Sequence, residues 1–290
     1  MVSVIPLRRI FRAVFAHEEF PLLWTVQKQG QGFSDQGFWR WQMFRITDDG
    51  IEEIGGYLPD GFLNGLGIFE TMRILYEKDC NIIRAENLAE HYRRLLAGKE
   101  ELGLTGEFSL RRLENALSAL IRTRGIRFGS VSVYIVADRY PHAEFLISHD
   151  SREIPEEDYR RGYRIKISRL RMPAAGLTSR YMTLSRIESS MALHAARRDG
   201  ADEIIFLNTD NYVAQCCQAN IFWQMKRIIY TPSISAGIVA GVARQKTIDR
   251  YQARGYIIKE GLFELNDLYL ADRIFLVSAI LNEMPAQIVR

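Results

Sequence analysis

The chain has 290 residues, 47% of them apolar, with 38 Lys and Arg against 35 Asp and Glu for a formal charge of +3. That length can bury one large core or two medium ones, while the near-balance of charge gives no basic field of the kind nucleic acid requires. No apolar run reaches the roughly 18 to 20 residues of a membrane span.

Residues 1–41 read as an N-terminal extension. The stretch 4–15 mixes apolar residues with Arg8, Arg9 and Arg12 but has no apolar core followed by a small-residue cleavage site, so no secretory signal is expected. From 42 to 149 the pattern predicts a small α+β domain. Strand-like segments at 43–46 and 67–74 are separated by the Asp48-Asp49-Gly50 turn and a glycine-rich turn at 63–67. Leu88, Tyr92, Leu95 and Leu96 recur at helical spacing over 86–102, with Gly103 as the stop, and Leu110, Leu113, Ala116, Leu117 and Leu120 predict a second helix over 109–122. Strands at 131–137 and 144–148 follow, joined through Tyr140-Pro141.

The polar segment 150–158 holds Pro155, has no apolar period and reads as a linker. Beyond it, 159–290 predicts a larger α/β domain. Strands are expected at 163–168, 203–208, 220–223, 227–230 and 274–277, and helices at 186–198 and 241–252, the latter closed by Gly255.

Cysteine and histidine offer little chemistry. Cys80, Cys216 and Cys217 have neither metal-ligand nor disulfide-framework spacing, which favours a reducing compartment and hence the cytoplasm. The adjacent Cys216-Cys217 has no neighbouring histidine to activate it and reads as a pair of small core thiols. His91, His142, His149 and His194 are scattered without metal-ligand spacing.

Several separated motifs fall in one order. They are Gly61-Phe62-Leu63-Asn64-Gly65-Leu66-Gly67-Ile68-Phe69-Glu70-Thr71-Met72-Arg73; His91-Tyr92-Arg93-Arg94-Leu95; Tyr181-Met182-Thr183-Leu184-Ser185-Arg186-Ile187-Glu188; Val213-Ala214-Gln215-Cys216-Cys217-Gln218-Ala219-Asn220-Ile221-Phe222; and Ala236-Gly237-Ile238-Val239-Ala240-Gly241-Val242-Ala243-Arg244. Over roughly residues 55–285 this series resembles the class IV pyridoxal-phosphate aminotransferases, a family that includes branched-chain and D-amino-acid aminotransferases and 4-amino-4-deoxychorismate lyase.

The resemblance implies a two-domain α+β and α/β fold of the D-amino-acid aminotransferase type (fold type IV), a homodimer and a pyridoxal phosphate site. It implies that Arg94 reaches the cofactor phosphate, a task suited to guanidinium, which donates two parallel charge-assisted hydrogen bonds. The backbone N–H groups of Val242 and Ala243 would complete the phosphate cup at a helix N-terminus. Three positions depart from the family pattern. Met182 stands where the family has the lysine that carries the cofactor as an imine. Gln215 stands where a glutamate keeps the pyridine nitrogen protonated, and Ala243 where a threonine hydroxyl joins the phosphate.

A thioether forms no imine, and none of the seven lysines lies between Lys166 and Lys226. The reading is therefore a family member without lysine-based chemistry that binds a small phosphorylated or carboxylated molecule. The alternatives are an active aminotransferase or 4-amino-4-deoxychorismate lyase-like enzyme, using a relocated lysine such as Lys246 or a non-covalent cofactor, and an inert dimerisation scaffold.

Overall fold

The computed structural model describes residues 42–48, 50–53, 60–77 and 82–289. The extension expected at 1–41 lies outside them, as does Cys80. Residues 42–290 form one compact unit.

The first half runs β1 (Gln42–Thr47), β2 (Gly50–Glu53), α1 (Asp60–Asn64), β3 (Gly67–Glu77), β4 (Ile82–Ala85), α2 (Leu88–Glu101), α3 (Leu110–Arg124), β5 (Ser130–Ala137) and β6 (Ala143–Asp150). Its six strands form one antiparallel sheet in the order β2-β1-β6-β5-β3-β4. Successive strand residues point to opposite faces. On β3 the even-numbered Ile68, Met72 and Ile74 are buried in one cluster with Leu95 of α2, Leu113, Leu117 and Leu120 of α3, and Val131, Val133 and Ile135 of β5. Ser109 caps α3 by accepting from the Arg112 N–H at 3.2 Å, and Gly125 ends the helix at φ 60°. That conformation is natural for glycine at a helix terminus.

The second half runs α4 (Glu156–Arg161), β7 (Tyr163–Met172), α5 (Leu177–Arg180), α6 (Ile187–Arg198), β8 (Glu203–Asn208), β9 (Val213–Cys216), β10 (Asn220–Met225), β11 (Ile228–Pro232), α7 (Val242–Ala253), β12 (Ile257–Gly261), α8 (Leu265–Tyr269), β13 (Arg273–Ser278) and β14 (Asn282–Ile288). The eight strands form a mixed sheet, β12-β11-β10-β13-β14-β7-β8-β9, with parallel pairs at β11/β12, β14/β7 and β7/β8. Both faces are covered, which is why β8 and much of β10 read as unbroken apolar runs. Ile221 and Trp223 of β10 join a cluster with Leu276 and Leu268, whereas Phe222 between them packs with Ile248 and Tyr251 of α7.

Some expectations from sequence need amendment. The segment expected as a structureless linker ends in the first residues of α4, and the glycine-rich turn overlaps the short helix α1. The strands β2, β4, β9, β12 and β14 and the helices α5 and α8 were not anticipated. Except for β14, which lies inside the sheet between β13 and β7, they are short or edge elements in which periodicity has few residues to act on.

The two halves are joined by backbone as well as side chains. The Phe69 N–H donates to the Met182 carbonyl at 2.8 Å, the Leu184 N–H to the Gly67 carbonyl at 3.0 Å, and Ile68 bridges Thr183. The tight turn into β3 needs Gly61, where an added Cβ would lie 2.7 Å from the Ala137 carbonyl oxygen and also against the Leu66 carbonyl oxygen. Neither obstacle is a movable side chain. Gly61→Ala is expected to destabilise the protein by about 1 to 3 kcal/mol, read as a lowered midpoint in urea unfolding; an unchanged midpoint would show that this approach is not tight.

Candidate functional site

Glu70 breaks the apolar face of β3. It lies between Ile68 and Met72, is 3% exposed, and has to find partners in the layer that covers that face. α2 supplies two, three residues apart and therefore on one side of the helix. His91 Nδ1 lies 2.7 Å from Glu70 Oε2, and Arg94 donates from Nε to Oε1 and from Nη2 to Oε2, both at 2.6 Å. Burial by itself would raise the Glu70 carboxyl. The Arg94 charge and the hydrogen bonds from His91 and Arg94 outweigh it and hold the group below the ordinary value of 4.5.

The third corner of the Arg94 fork reaches across to the other half, where Nη1 donates to the Ala240 carbonyl at 2.8 Å. Ala240 belongs to the loop that leads into α7, and that loop is held by side-chain amides. Asn208 Nδ2 donates to the Ala236 carbonyl at 3.2 Å, Asn220 Nδ2 to the Val239 carbonyl at 3.1 Å, and Gln215 Oε1 accepts from the Val239 N–H at 3.0 Å. Gly237 turns the chain at φ 81° against the backbone of Ala174, and Gly241 is the N-cap of α7 with no side-chain capping bond. Val242 and Ala243 open that helix, where the first N–H groups have no intrahelical acceptor. The helix dipole there favours an anion.

Arg94, Gln215, Val242 and Ala243 are thus gathered around one loop. Arg94 touches it at Ala240, Gln215 pins it at Val239, and Val242 and Ala243 are its exit. Gln215 is buried and both ends of its amide are engaged, since Nε2 also donates to the Ser179 carbonyl at 3.4 Å. Met182 is half-buried, and its carbonyl is bonded to β3. Lys246 is one turn along α7 from Val242, but its Nζ is paired with Glu90 of α2 at 3.0 Å, while Lys166 pairs with Asp199 at 3.0 Å.

Beside Gln215, burial pushes both the Cys216 and Cys217 thiols up, so neither is an activated nucleophile. Burial also pushes Glu203 up to about 7, opposed by backbone donors from Ile204, Gln218 and Cys217 and by the Arg197 charge. Among the described residues no cluster has the makings of a metal site. A surface depression of about 380 Å³ near Leu207 and Leu265 shares no residue with this set.

Sequence reasoning missed Glu70 as a partner of Arg94. The available signal was a single acid on the apolar face of a strand. It also missed the amide of Asn208, which nothing in the local sequence marks.

The family described as amino-transferase class IV matches residues 67–289. This chain belongs to that family. It is 28% identical over 241 residues to the aminodeoxychorismate lyase of Bacillus subtilis, covering 78% of each chain. In structure it is similar to the branched-chain amino acid aminotransferase of Escherichia coli, at TM-score 0.73, 17% identity and 85% coverage of each chain. It is likewise similar to a fold IV transaminase from Curtobacterium pusillum, at TM-score 0.73 and 20% identity, covering 86% of this chain and 92% of that one. The two-domain fold type IV architecture implied by the motifs is the fold of this class IV chain.

The two buried carboxyls give opposite pH dependences. The folded Glu70 lies below its unfolded value, so its contribution is complete above about pH 4.5 and is lost as pH falls through the folded value. The folded Glu203 lies above its unfolded value, so its contribution is present below about pH 4.5 and is lost as pH rises to about 7. Urea unfolding of Glu70→Gln should show a deficit against the parent at neutral pH that shrinks in acid. Glu203→Gln should flatten the parent's decline between pH 4.5 and 7. Arg94→Ala leaves the buried Glu70 carboxylate with His91 as its one remaining side-chain partner and should cost about 3 to 5 kcal/mol; a loss below about 1 kcal/mol would show that Glu70 is not held as a charge by Arg94.

Proposed function

We propose that this class IV family member binds a small phosphorylated or carboxylated molecule in the family cleft and does not use a lysine-linked cofactor. The observation that carries the reading is the contrast between the loop before α7 and the engaged lysines. Arg94, Gln215 and the α7 N-terminus come together at one loop, while Met182 brings no amine and Lys166 and Lys246 are each engaged by a carboxylate.

Pyridoxal phosphate, the cofactor implied by the family, fits this site only in part. The phosphate end is served by the α7 N-terminus and by the Arg94 hydrogens that Glu70 and Ala240 leave over. At the reactive end the side chain is a thioether, and at the ring-nitrogen end Gln215 supplies an amide already bonded at Val239 and Ser179. An uncharged amide gives a ring nitrogen little reason to hold a proton. We derive no chemical step through the cofactor.

We further propose a homodimer. In its support, Ile187 and Met191 stand one turn apart on α6, immediately after the Met182 segment, and both are exposed, as large apolar side chains at an interface would be in the isolated chain. Residues 42–149 and 159–290 are taken as its two domains, each with its own sheet. The sparse cysteines suit the cytoplasm, and no described helix is long and apolar enough to cross a membrane.

Two measurements test the reading. After incubation with pyridoxal phosphate and borohydride reduction, peptide mapping should find no pyridoxyl-lysine; a stoichiometric adduct, above all on Lys246, would establish a relocated lysine and overturn the proposal. In the converse experiment, Met182→Lys with Gln215→Glu should produce a visible cofactor absorbance that the parent lacks. Glutamate can keep the acceptor bond from Val239 but loses the donor bond to Ser179, so Gln215→Glu alone should lower stability without colour. A folded double variant that stays colourless in excess cofactor would mean that the cleft no longer accepts the ring.

A further inference from the structure

Glu203 is a second carboxylate buried by the fold. It opens β8 and is 1% exposed. Where Glu70 is bonded by side chains, Glu203 is bonded by backbone: Oε1 accepts from the Ile204 N–H at 2.9 Å and the Cys217 N–H at 3.1 Å, and Oε2 accepts from the Gln218 N–H at 3.0 Å. An ionised carboxylate is an acceptor only, so three converging donors suit it. Two of the three belong to the turn 217–219 that joins β9 to β10.

The Cys216 N–H closes that turn on the Ala219 carbonyl at 2.9 Å. Gln215 and Asn220 stand on its two sides, and both side chains meet one residue of the loop entering α7. Gln215 Oε1 accepts from the Val239 N–H, and Asn220 Nδ2 donates to the Val239 carbonyl. From the other direction α6 and its N-cap fasten the same turn, since Arg186 Nη2 donates to the Cys217 carbonyl at 2.8 Å and Arg197 Nη2 to Gln218 Oε1 at 3.0 Å. The turn thus sets the spacing of the two amides that grip Val239, and Glu203 is the side chain that holds its backbone N–H groups.

We propose that Glu203 is a positioning residue for the loop entering α7, acting through the 217–219 turn and the amides of Gln215 and Asn220.

The carboxyl supplies a signature that packing alone would not. Burial pushes it up to about 7. The titratable and charged groups around it are Arg197 of α6 and Arg186 at its N-cap, Tyr163 of β7, Cys216 of β9 and Cys217 of the turn, while β10 carries none. Its neighbour Asp202 is paired with Arg161. Opening the turn lets water reach the carboxyl and returns it toward the ordinary 4.5, so opening becomes easier as pH rises from about 4.5 and the effect is complete near 7.

Hydrogen exchange of the full chain between about pH 5 and 7, corrected for the base-catalysed rate of free amides, tests the proposal. The amides of Cys217, Gln218 and Val239 should lose protection together, by about ten-fold or more, while those of Val133 and Ile135 in β5 lose less. Glu203→Gln does not titrate and cannot accept from Gln218 through its amide nitrogen, so its turn should be looser than the parent's at pH 5 and show no further fall. Arg197→Gln removes an exposed charge that lowers the Glu203 carboxyl, so the fall should end at a higher pH than in the parent. This second variant decides the matter if Glu203→Gln does not fold: an unmoved end would show that another group titrates. A turn that loosens while Val239 keeps its protection would mean that Glu203 holds only its own turn, and an equal fall in β5 would mean that it acts on the whole fold. Either result overturns the proposal. Exchange is read without ligand, so the outcome is independent of anion binding at the loop, which a phosphate titration of the parent tests separately.

Discussion

A carboxylate buried in the apolar face of a strand is the constraint around which this molecule is arranged. Glu70 cannot be left alone in that environment, because an isolated buried charge costs far more than any single packing contact returns. His91 and Arg94 answer it from α2, and the bidentate geometry of the Arg94 pair fixes the rotation of the helix over the sheet. The guanidinium, once held, has a direction, and its remaining arm reaches the Ala240 carbonyl of the other half. The loop entering α7 is therefore positioned by an ion pair that lies in a different layer of the protein.

The same pairing sets the electrostatics of the loop. Glu70 cancels most of the Arg94 charge, so an anion there is drawn less by net charge than by N–H groups at fixed positions and by the helix dipole. Fixed positions require a rigid loop, and the amides of Asn208, Gln215 and Asn220 supply the rigidity by bonding its backbone at Ala236 and Val239. Gln215 therefore has a structural task in this chain. Its carbonyl end could equally be one arm of a carboxylate, whereas its amide end could not.

Much of the fold was legible in the sequence, and the reason is periodicity. The long elements α2, α3, α7, β5 and β8 carry enough apolar repeats to be found within a few residues of their ends, and Gly103 and Gly255 mark the ends of α2 and α7. Short edge strands such as β4 and β12 carry no such repeat, and their existence depends on neighbours far away in sequence. The site divides in the same way. Arg94, Val242 and Ala243 stand in ordered motifs, and the structure gathers them at one loop. The bonds from Asn208 and Gln215 to that loop were not readable, since each joins residues more than twenty positions apart through one side chain.

The backbone around Met182 is held independently of its side chain. The segment around it is held to β3 by its backbone: the Met182 carbonyl accepts from Phe69, the Leu184 N–H donates to Gly67, and Thr183 bridges Ile68. Ser185 adds a side-chain bond to the Gly65 carbonyl at 3.0 Å. None of these uses the side chain of Met182. A lysine and a methionine have similar unbranched stems, so the exchange alters a terminal group in a half-buried position and little of the packing. The chain conformation at position 182 is therefore kept by interactions indifferent to the side chain that stands there. The loop entering α7 is likewise kept by the amides of Asn208, Gln215 and Asn220 and by the Arg94 guanidinium, all supplied by this chain itself.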